Sequence, residues 1–469
     1  MQYLILPTVV FVAKVAILMT AVAGGSERQV THDVQFNHEL DSNDNYSPDD
    51  RFLVFDTRTG AGGIAASRMV GKVEIATGRI TRLYQPDEAS AFGPGVGAAS
   101  FSHCRDEVIF IHGPLQPTGP DDQYEKTRRI GLIAAGDGSG KFHLADARHT
   151  QSPYRAGALR GGTHRHEFSG DGRWVGFTYN DAVVAAYGRQ NGQSLDLRTI
   201  GVTRLGHPVA VPATRQFPGD ADGFSVLVVV VVPRPQPGSD EISQAAHDSW
   251  IGRDGYLRAD GKRQRARAFI GTTRDADGNK VDELFVVDIP DDITRGGPLG
   301  PLEGTDHSFP MPPEGTVQRR LTHTAARPYP GCKGIVRASH DGTAIAFLMR
   351  DRRGDWQVHL ISPTGGQPRQ VTFLEGGFDT GVRWHPSGAA FVACGGNRIV
   401  VTAVEPGPAF GKSWVLSDHA PAPFAVVWSH DGRSIAYNRR VPSGKQDVTQ
   451  IFVADYPDAN GDGIPDPLD

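Results

Sequence analysis

The chain reads as an all-β protein, a β-propeller of four-stranded blades. Three observations predict it. A short turn phrase recurs six times along the 469 residues, each time ahead of an apolar run. The copies define units of about 45 to 65 residues, a spacing that suits propeller blades. The 57 glycines and 33 prolines, with no collagen-like period, supply many tight turns between short strands.

The phrase is an aromatic or small residue, Ser or His, any residue, then Asp or Ser with Gly. It occurs as Tyr46-Ser47-Pro48-Asp49-Asp50, Phe168-Ser169-Gly170-Asp171-Gly172, Ser339-His340-Asp341-Gly342, Trp384-His385-Pro386-Ser387-Gly388 and Trp428-Ser429-His430-Asp431-Gly432. A degenerate copy is Phe101-Ser102-His103-Cys104. Asp-Gly supplies the positive-φ turn of a hairpin. The strand before it is therefore the innermost of a blade. The strand after it is the second, apolar because neighbouring blades cover both faces. On this reading His103, His340 and His430 are turn supports. A second phrase, Gln29-Val30-Thr31, Arg320-Leu321-Thr322 and Gln370-Val371-Thr372, marks the outermost strand as it enters the next blade.

Residues 205–325 carry one more blade without a turn phrase. Its inner strand is predicted at Ser225 to Val232, followed by a polar insertion over 233–265 with a short helix from Glu241 to Trp250. Strands at 268–271 and 284–287 then flank the turn Asp275-Ala276-Asp277-Gly278. The count is seven blades, with six as the alternative. The last blade has three strands of its own, ending at 451–454. The strand around Arg28 to Thr31 supplies the fourth, closing the ring and removing both sheet edges. The propeller spans 26–457.

Residues 1–25 stand apart. Met1 to Ala23 is almost wholly apolar and ends in Ala21-Val22-Ala23, the mark of a secretory signal peptide. The alternatives are a membrane anchor, although Lys14 interrupts the run, and a misassigned start with the protein beginning near Glu27. An exported location, periplasmic or extracellular, follows from the first reading, and a cytoplasmic one from the last. A formal net charge of −5 excludes a surface built to neutralise nucleic-acid phosphate. Three widely spaced cysteines form no disulfide framework. Nucleophile-elbow, Walker and dinucleotide signatures are missing. The expected assembly is a monomer, touching membrane only if the leader stays uncleaved.

The repeats resemble those of TolB-type propellers. Longer stretches resemble an uncharacterised bacterial family typified by the enterobacterial YidR protein. These are Gly157-Ala158-Leu159-Arg160-Gly161-Gly162-Thr163-His164-Arg165-His166, Phe177-Thr178-Tyr179-Asn180-Asp181 and Pro237-Gly238-Ser239-Asp240-Glu241-Ile242, with 317–322 and 347–351. The resemblance covers roughly 27–455. It implies the propeller fold and carries over no catalytic residue.

Candidate chemistry sits on the inner strands. In a regular strand residues i and i+2 share a face, which places His164 and His166 together toward the channel. Two imidazoles are half of a transition-metal site. His38, and His385 beside Arg383, are candidates to complete it with a divalent metal. The arrangement is similar to that of oligogalacturonate lyase, a propeller with a His-rich metal cluster, though only the local His-x-His pair is matched. That similarity implies Arg160 or Arg383 as partner for a uronate carboxylate. A metal-free catalytic histidine and purely structural, hydrogen-bonded histidines are the other readings. At the chain end, Asp458, Asn460, Asp462, Ile464, Asp466 and Asp469 follow calcium-loop spacing in an acidic tail over 458–469. Three functions follow: an envelope propeller binding a protein or glycan through its loop face; a metal-dependent, polysaccharide lyase-like enzyme; or a structural propeller without a small-molecule site.

Overall fold

The computed structural model describes residues 20–21, 26–41, 43–444, 446–458 and 460–465. Seven sheets form seven blades around a central channel. Most of the leader lies outside the described residues, as do Asp466 and Asp469. Thr20–Ala21 adds a two-residue strand parallel to the outer edge of blade 6. No helix among the described residues is long and apolar enough to cross a membrane.

Blade 1 has strands Phe52–Asp56, Val70–Glu74 and Ile80–Tyr84, with an irregular inner segment bridged at Glu39 and Tyr46. The inner strands of blades 2 to 7 are Val96–Phe101, Gly161–Phe168, Gln244–Trp250, Cys332–Ala338, Arg383–Trp384 and Phe424–Trp428. Each blade is an antiparallel meander outward from there. Blade 7 is completed by Glu27–Gln29, which pairs antiparallel with Gln446–Asp455. This is the closure expected from the two ends of the sequence.

Blade 4 departs from the expected layout. The Val-rich run does not start it: Ala221–Leu227 is the outermost strand of blade 3. Residues 241–250 are not helical, and Gln244–Trp250 is the inner strand. Consequently 228–243 is an interblade connection, and the insertion shrinks to 251–265, which folds as a small hairpin between Tyr256–Leu257 and Arg263–Gln264. Tertiary pairing with Ala266–Arg274 overrode the polar look of Gln-Ala-Ala-His-Asp-Ser-Trp. The missing turn phrase is present but stretched, with Trp250 in the aromatic slot.

The turn phrase does what its residues require. Ser169 Oγ donates to Asp171 Oδ1 at 2.5 Å and accepts from Trp174 N at 3.0 Å. Ser339 and Ser429 repeat the same pair of bonds. The closing glycine answers to sterics as well as to φ. Gly432 has φ 74°, and a Cβ there would stand 2.2 Å from His385 of blade 6. In blade 1 Asp50 takes the glycine position at φ 56°, and its carboxylate accepts from His430 N and Asp431 N of blade 7. The second phrase also has a fixed job. The hydroxyls of Thr31, Thr322 and Thr372 accept from Ile451 N, Leu284 N and Val358 N, continuing the sheet where the outer strand turns away.

Apolar residues pack in separate layers, one between each pair of neighbouring blades. Phe269 and Phe285 stack at 5.6 Å between blades 3 and 4. Indole N–H groups hook the inner strands together. Trp250 Nε1 donates to Glu167 O, Trp384 Nε1 to Arg337 O, and Trp428 Nε1 to Arg383 O, at 2.9 to 3.0 Å. Replacing Trp428 by Phe keeps a ring but removes the indole hydrogen bond to the buried Arg383 carbonyl. The variant is expected to lose about 1–3 kcal/mol of stability in a denaturant titration; an unchanged midpoint would remove the hook from the account.

Candidate functional site

The inner strands of blades 2, 3, 4, 5 and 7 are bulged, with register shifts at Gly97/Ser100, His164/Glu167, Ala246/Ser249, Lys333/Arg337 and Phe424/Val427. A residue with positive φ sits in each bulge: Ala98, Arg165, His247, Gly334 and Ala425. A bulge adds one residue and reverses the facing of those beyond it.

That reversal separates the two histidines expected to share the channel. His164 pairs with Thr178 and Glu167 with Gly176, so His164 and Glu167 lie on the face toward blade 4. His164 Nε2 meets Asn180 Oδ1 at 3.2 Å, and its Nδ1 faces Arg129. His166 lies on the opposite face, beside Asp146 and over Gly131 of blade 2, where a Cβ would stand 2.8 Å from its Nε2. His38 is sandwiched between Phe36 and Phe55 in the seam of blades 7 and 1. His385 lies beyond the end of its strand, bonded to Ser387 Oγ at 2.8 Å and edge-on to Trp428. The four proposed metal ligands therefore occupy separate places and do not fit one ion. Among the described residues no group of three or more His, Cys, Asp or Glu is placed to hold a metal.

Arg160 is also committed elsewhere. It is fully buried, pairs with Asp181 at 2.9 Å, and donates to the carbonyls of Thr305 and Ser308. It fastens the long 289–316 loop to blade 3. At the chain end, Asp458 is buried and accepts from the N–H groups of Gly461, Asp462 and Gly463. Asn460 and Asp462 cap N–H groups of the same loop. Ile464 is the donor to Asp462. Tyr456 and Ser387 bond to the loop's carbonyls, so its described part clasps the chain end onto blade 6. These contacts lend the calcium expectation no support.

Arg383 is the candidate the structure places at the channel. There it meets the irregular inner segment of blade 1. Arg383 Nη2 donates to Asn43 O and, at 3.1 Å, to Asp44 Oδ1. Arg337 of blade 5 donates to Asn43 Oδ1 at 3.2 Å and to Glu167 Oε1 of blade 3 at 3.3 Å. Asn43 Nδ2 donates to His166 O of blade 3 at 3.0 Å. Asp44 O accepts from Phe101 N of blade 2, and its carboxylate pairs with His103 at 3.3 Å. Glu167 continues the network to Arg267 of blade 4, which also pairs with Asp248. Two adjacent residues of blade 1 thus cross-link blades 2, 3, 5 and 6 through the channel.

The electrostatics follow from this crowding. Burial opposes ionisation of Asp44, but His103, Arg383 and Arg337 outweigh it and hold its carboxyl far below the usual range. Burial likewise opposes a charge on His103, yet Asp44 raises its pKa. The surrounded Arg337 is pushed down to about 9, by burial first and by Arg383 next.

Between this cross-link and the turn face lies a cavity of about 120 Å³. His103, His340 and His430 line it, all from the slot that follows the Ser of the turn phrase. Reading them as turn supports missed this placement; their common repeat position was the available signal. On the loop face, two adjoining grooves of about 500 and 410 Å³ share Gln244 and Lys280. Their walls carry Lys126, Arg198, Arg274, Lys280 and Lys333 against Asp196 and Asp282, and Lys126 pairs with Asp196 at 2.6 Å.

The molecule defined by these features is a seven-bladed propeller with a polar cross-link in its channel, a basic groove on one face and a small charged cavity on the other. The chain belongs to the family of YidR from Escherichia coli K12, to which it is 38% identical over 413 residues, covering 86% of this chain and 92% of that one. Residues 95–218 match the family described as Protein of unknown function (DUF3748). Among solved structures it is similar to oligogalacturonate lyase from Vibrio parahaemolyticus, with TM-score 0.52 over 93% of this chain and 94% of that one, at 10% identity. An oligogalacturonate lyase in complex with manganese matches with TM-score 0.56 over 93% and 99%, also at 10% identity. At that identity the likeness is one of fold.

Four deeply buried histidines set a pH limit. His38, His112, His166 and His359 are each lowered to about 4, chiefly by burial. The unfolded chain binds their protons near 6.5 and the folded chain near 4, so stability falls as pH drops through that window. The loss is on the order of 2 kcal/mol per histidine by about pH 5. Melting temperature is expected to drop steeply from pH 7 to 5, and less steeply in His38→Phe; a flat profile would contradict the burial argument. Asn43→Ala is expected to cost about 2 kcal/mol or more, because Arg337 and the His166 carbonyl lose a buried partner; chemical denaturation measures it.

Proposed function

We propose that the protein is a binding propeller of the cell envelope that holds an acidic glycan on its loop face. The carrying observation is the pair of grooves across blades 3 to 5. Five cations line them against two carboxylates, one already neutralised by Lys126. Lysine and arginine side chains set along an open groove match the repeating carboxylates of a uronate polymer. Open grooves suit a chain that enters sideways rather than a compact metabolite. The oligogalacturonate lyases that share the fold are named for an acidic saccharide, which is chemistry of the same kind. The apolar segment Met1 to Ala23 supports export.

A metal-dependent lyase has less behind it, since the histidines assigned to the metal stand apart. Binding without turnover needs only the groove. In affinity electrophoresis, wild type is expected to be retarded by polygalacturonate and not by neutral dextran, less so as salt rises. Lys280→Glu combined with Arg198→Ala is expected to weaken retention at least tenfold. Equal mobility in both polymers would overturn the reading and return the propeller to a structural role.

A further inference from the structure

The cavity at the turn face is chemically unlike the groove and lies beyond the cross-link. We infer that it is a binding site for a small organic carboxylate. The fixed charges are already balanced before a ligand arrives. Asp44 is matched by Arg383, Glu167 by Arg337, and Asp248 by Arg267. Arg253, from the hairpin inserted in blade 4, is the surplus cation on the wall. Its backbone N is fixed by His340 O at 3.0 Å, while its guanidinium has no hydrogen-bond or ion-pair partner among the described residues. Of the Arg383 fork only Nη2 is used by the protein, so the remaining donors stay available to a second carboxylate. His430 Nε2 is buried without a partner, a group that a bound oxygen would satisfy.

The remaining walls decide the kind of anion. Phe168, Trp250, Trp384 and Trp428 present aromatic surface to the same space, and the N–H groups of the three indoles are consumed by the interblade hooks. Inorganic phosphate has no apolar part to place there. A carboxylic acid with a short hydrocarbon body meets both halves of the lining, its carboxylate toward Arg253 and Arg383 and its body on the rings. A cavity of about 120 Å³ accommodates such a molecule and excludes a polymer.

The test is calorimetry on the full-length protein with acetate, butyrate, benzoate and inorganic phosphate, beside Arg253→Ala and His430→Gln. Arg253 is exposed, so its truncation should leave the fold intact. Butyrate or benzoate is expected to bind wild type more tightly than phosphate, with affinity reduced at least tenfold in Arg253→Ala. Four results would overturn the proposal: no heat from any carboxylate, binding untouched by both variants, phosphate binding at least as tightly as the carboxylates, or loss of carboxylate binding in the groove variant Lys280→Glu. If His430→Gln fails to fold, Arg253→Ala alone decides. Polygalacturonate retention should be unchanged in Arg253→Ala, which separates the two sites.

Discussion

The placement of Asn43 and Asp44 in the channel is the constraint on which the rest of the molecule depends. A propeller built only from neighbour-to-neighbour layers is a ring whose members each know two others. Here one short segment of blade 1 bonds to blades 2, 3, 5 and 6 at once. Its irregularity is a requirement of that role. A regular strand would spend its backbone groups on its own blade, whereas Asn43 and Asp44 give carbonyls as well as side chains to others. The cost of burying Arg337, Arg383 and Glu167 is offset because each is paired and hydrogen-bonded.

The cross-link also organises function. It divides the channel, so the two faces carry different chemistry: a basic groove above and a smaller, aromatic-lined cavity below. The bulges in five inner strands serve the same division. Each reverses the facing of the residues beyond it, which is how Glu167 comes to face blade 4 and the axial arginines while His166 packs under blade 2.

Much of the fold was legible because its determinants are local. A Ser-x-Asp-Gly turn encodes its own hydrogen bonds, and three such copies with three variants of the same phrase leave few architectures. The closing strand was legible because a three-stranded last blade leaves an edge that Glu27–Gln29 can cover. Blade 4 was misread where local signals fail: its turn phrase is interrupted by an inserted hairpin, and its inner strand is polar because Asp248 and Ser249 serve the channel. The candidate site was legible only at Arg383. The grouping of His38, His164, His166 and His385 rested on strict two-residue alternation, and bulges are invisible in composition. The turn histidines were discounted one by one, although only the ring brings them together.

Closure by the N-terminal strand carries a kinetic consequence. Ser26 and Asp455 are bonded across 429 positions of chain. Glu27–Gln29, made before any blade, therefore finds its partner only after the last blade exists, and until then the ring stands open. Such a long-range final step makes assembly slow relative to the hairpins that precede it. In the completed ring the closing blade holds its full four strands, so once latched it opens only by giving up the contact that took longest to form.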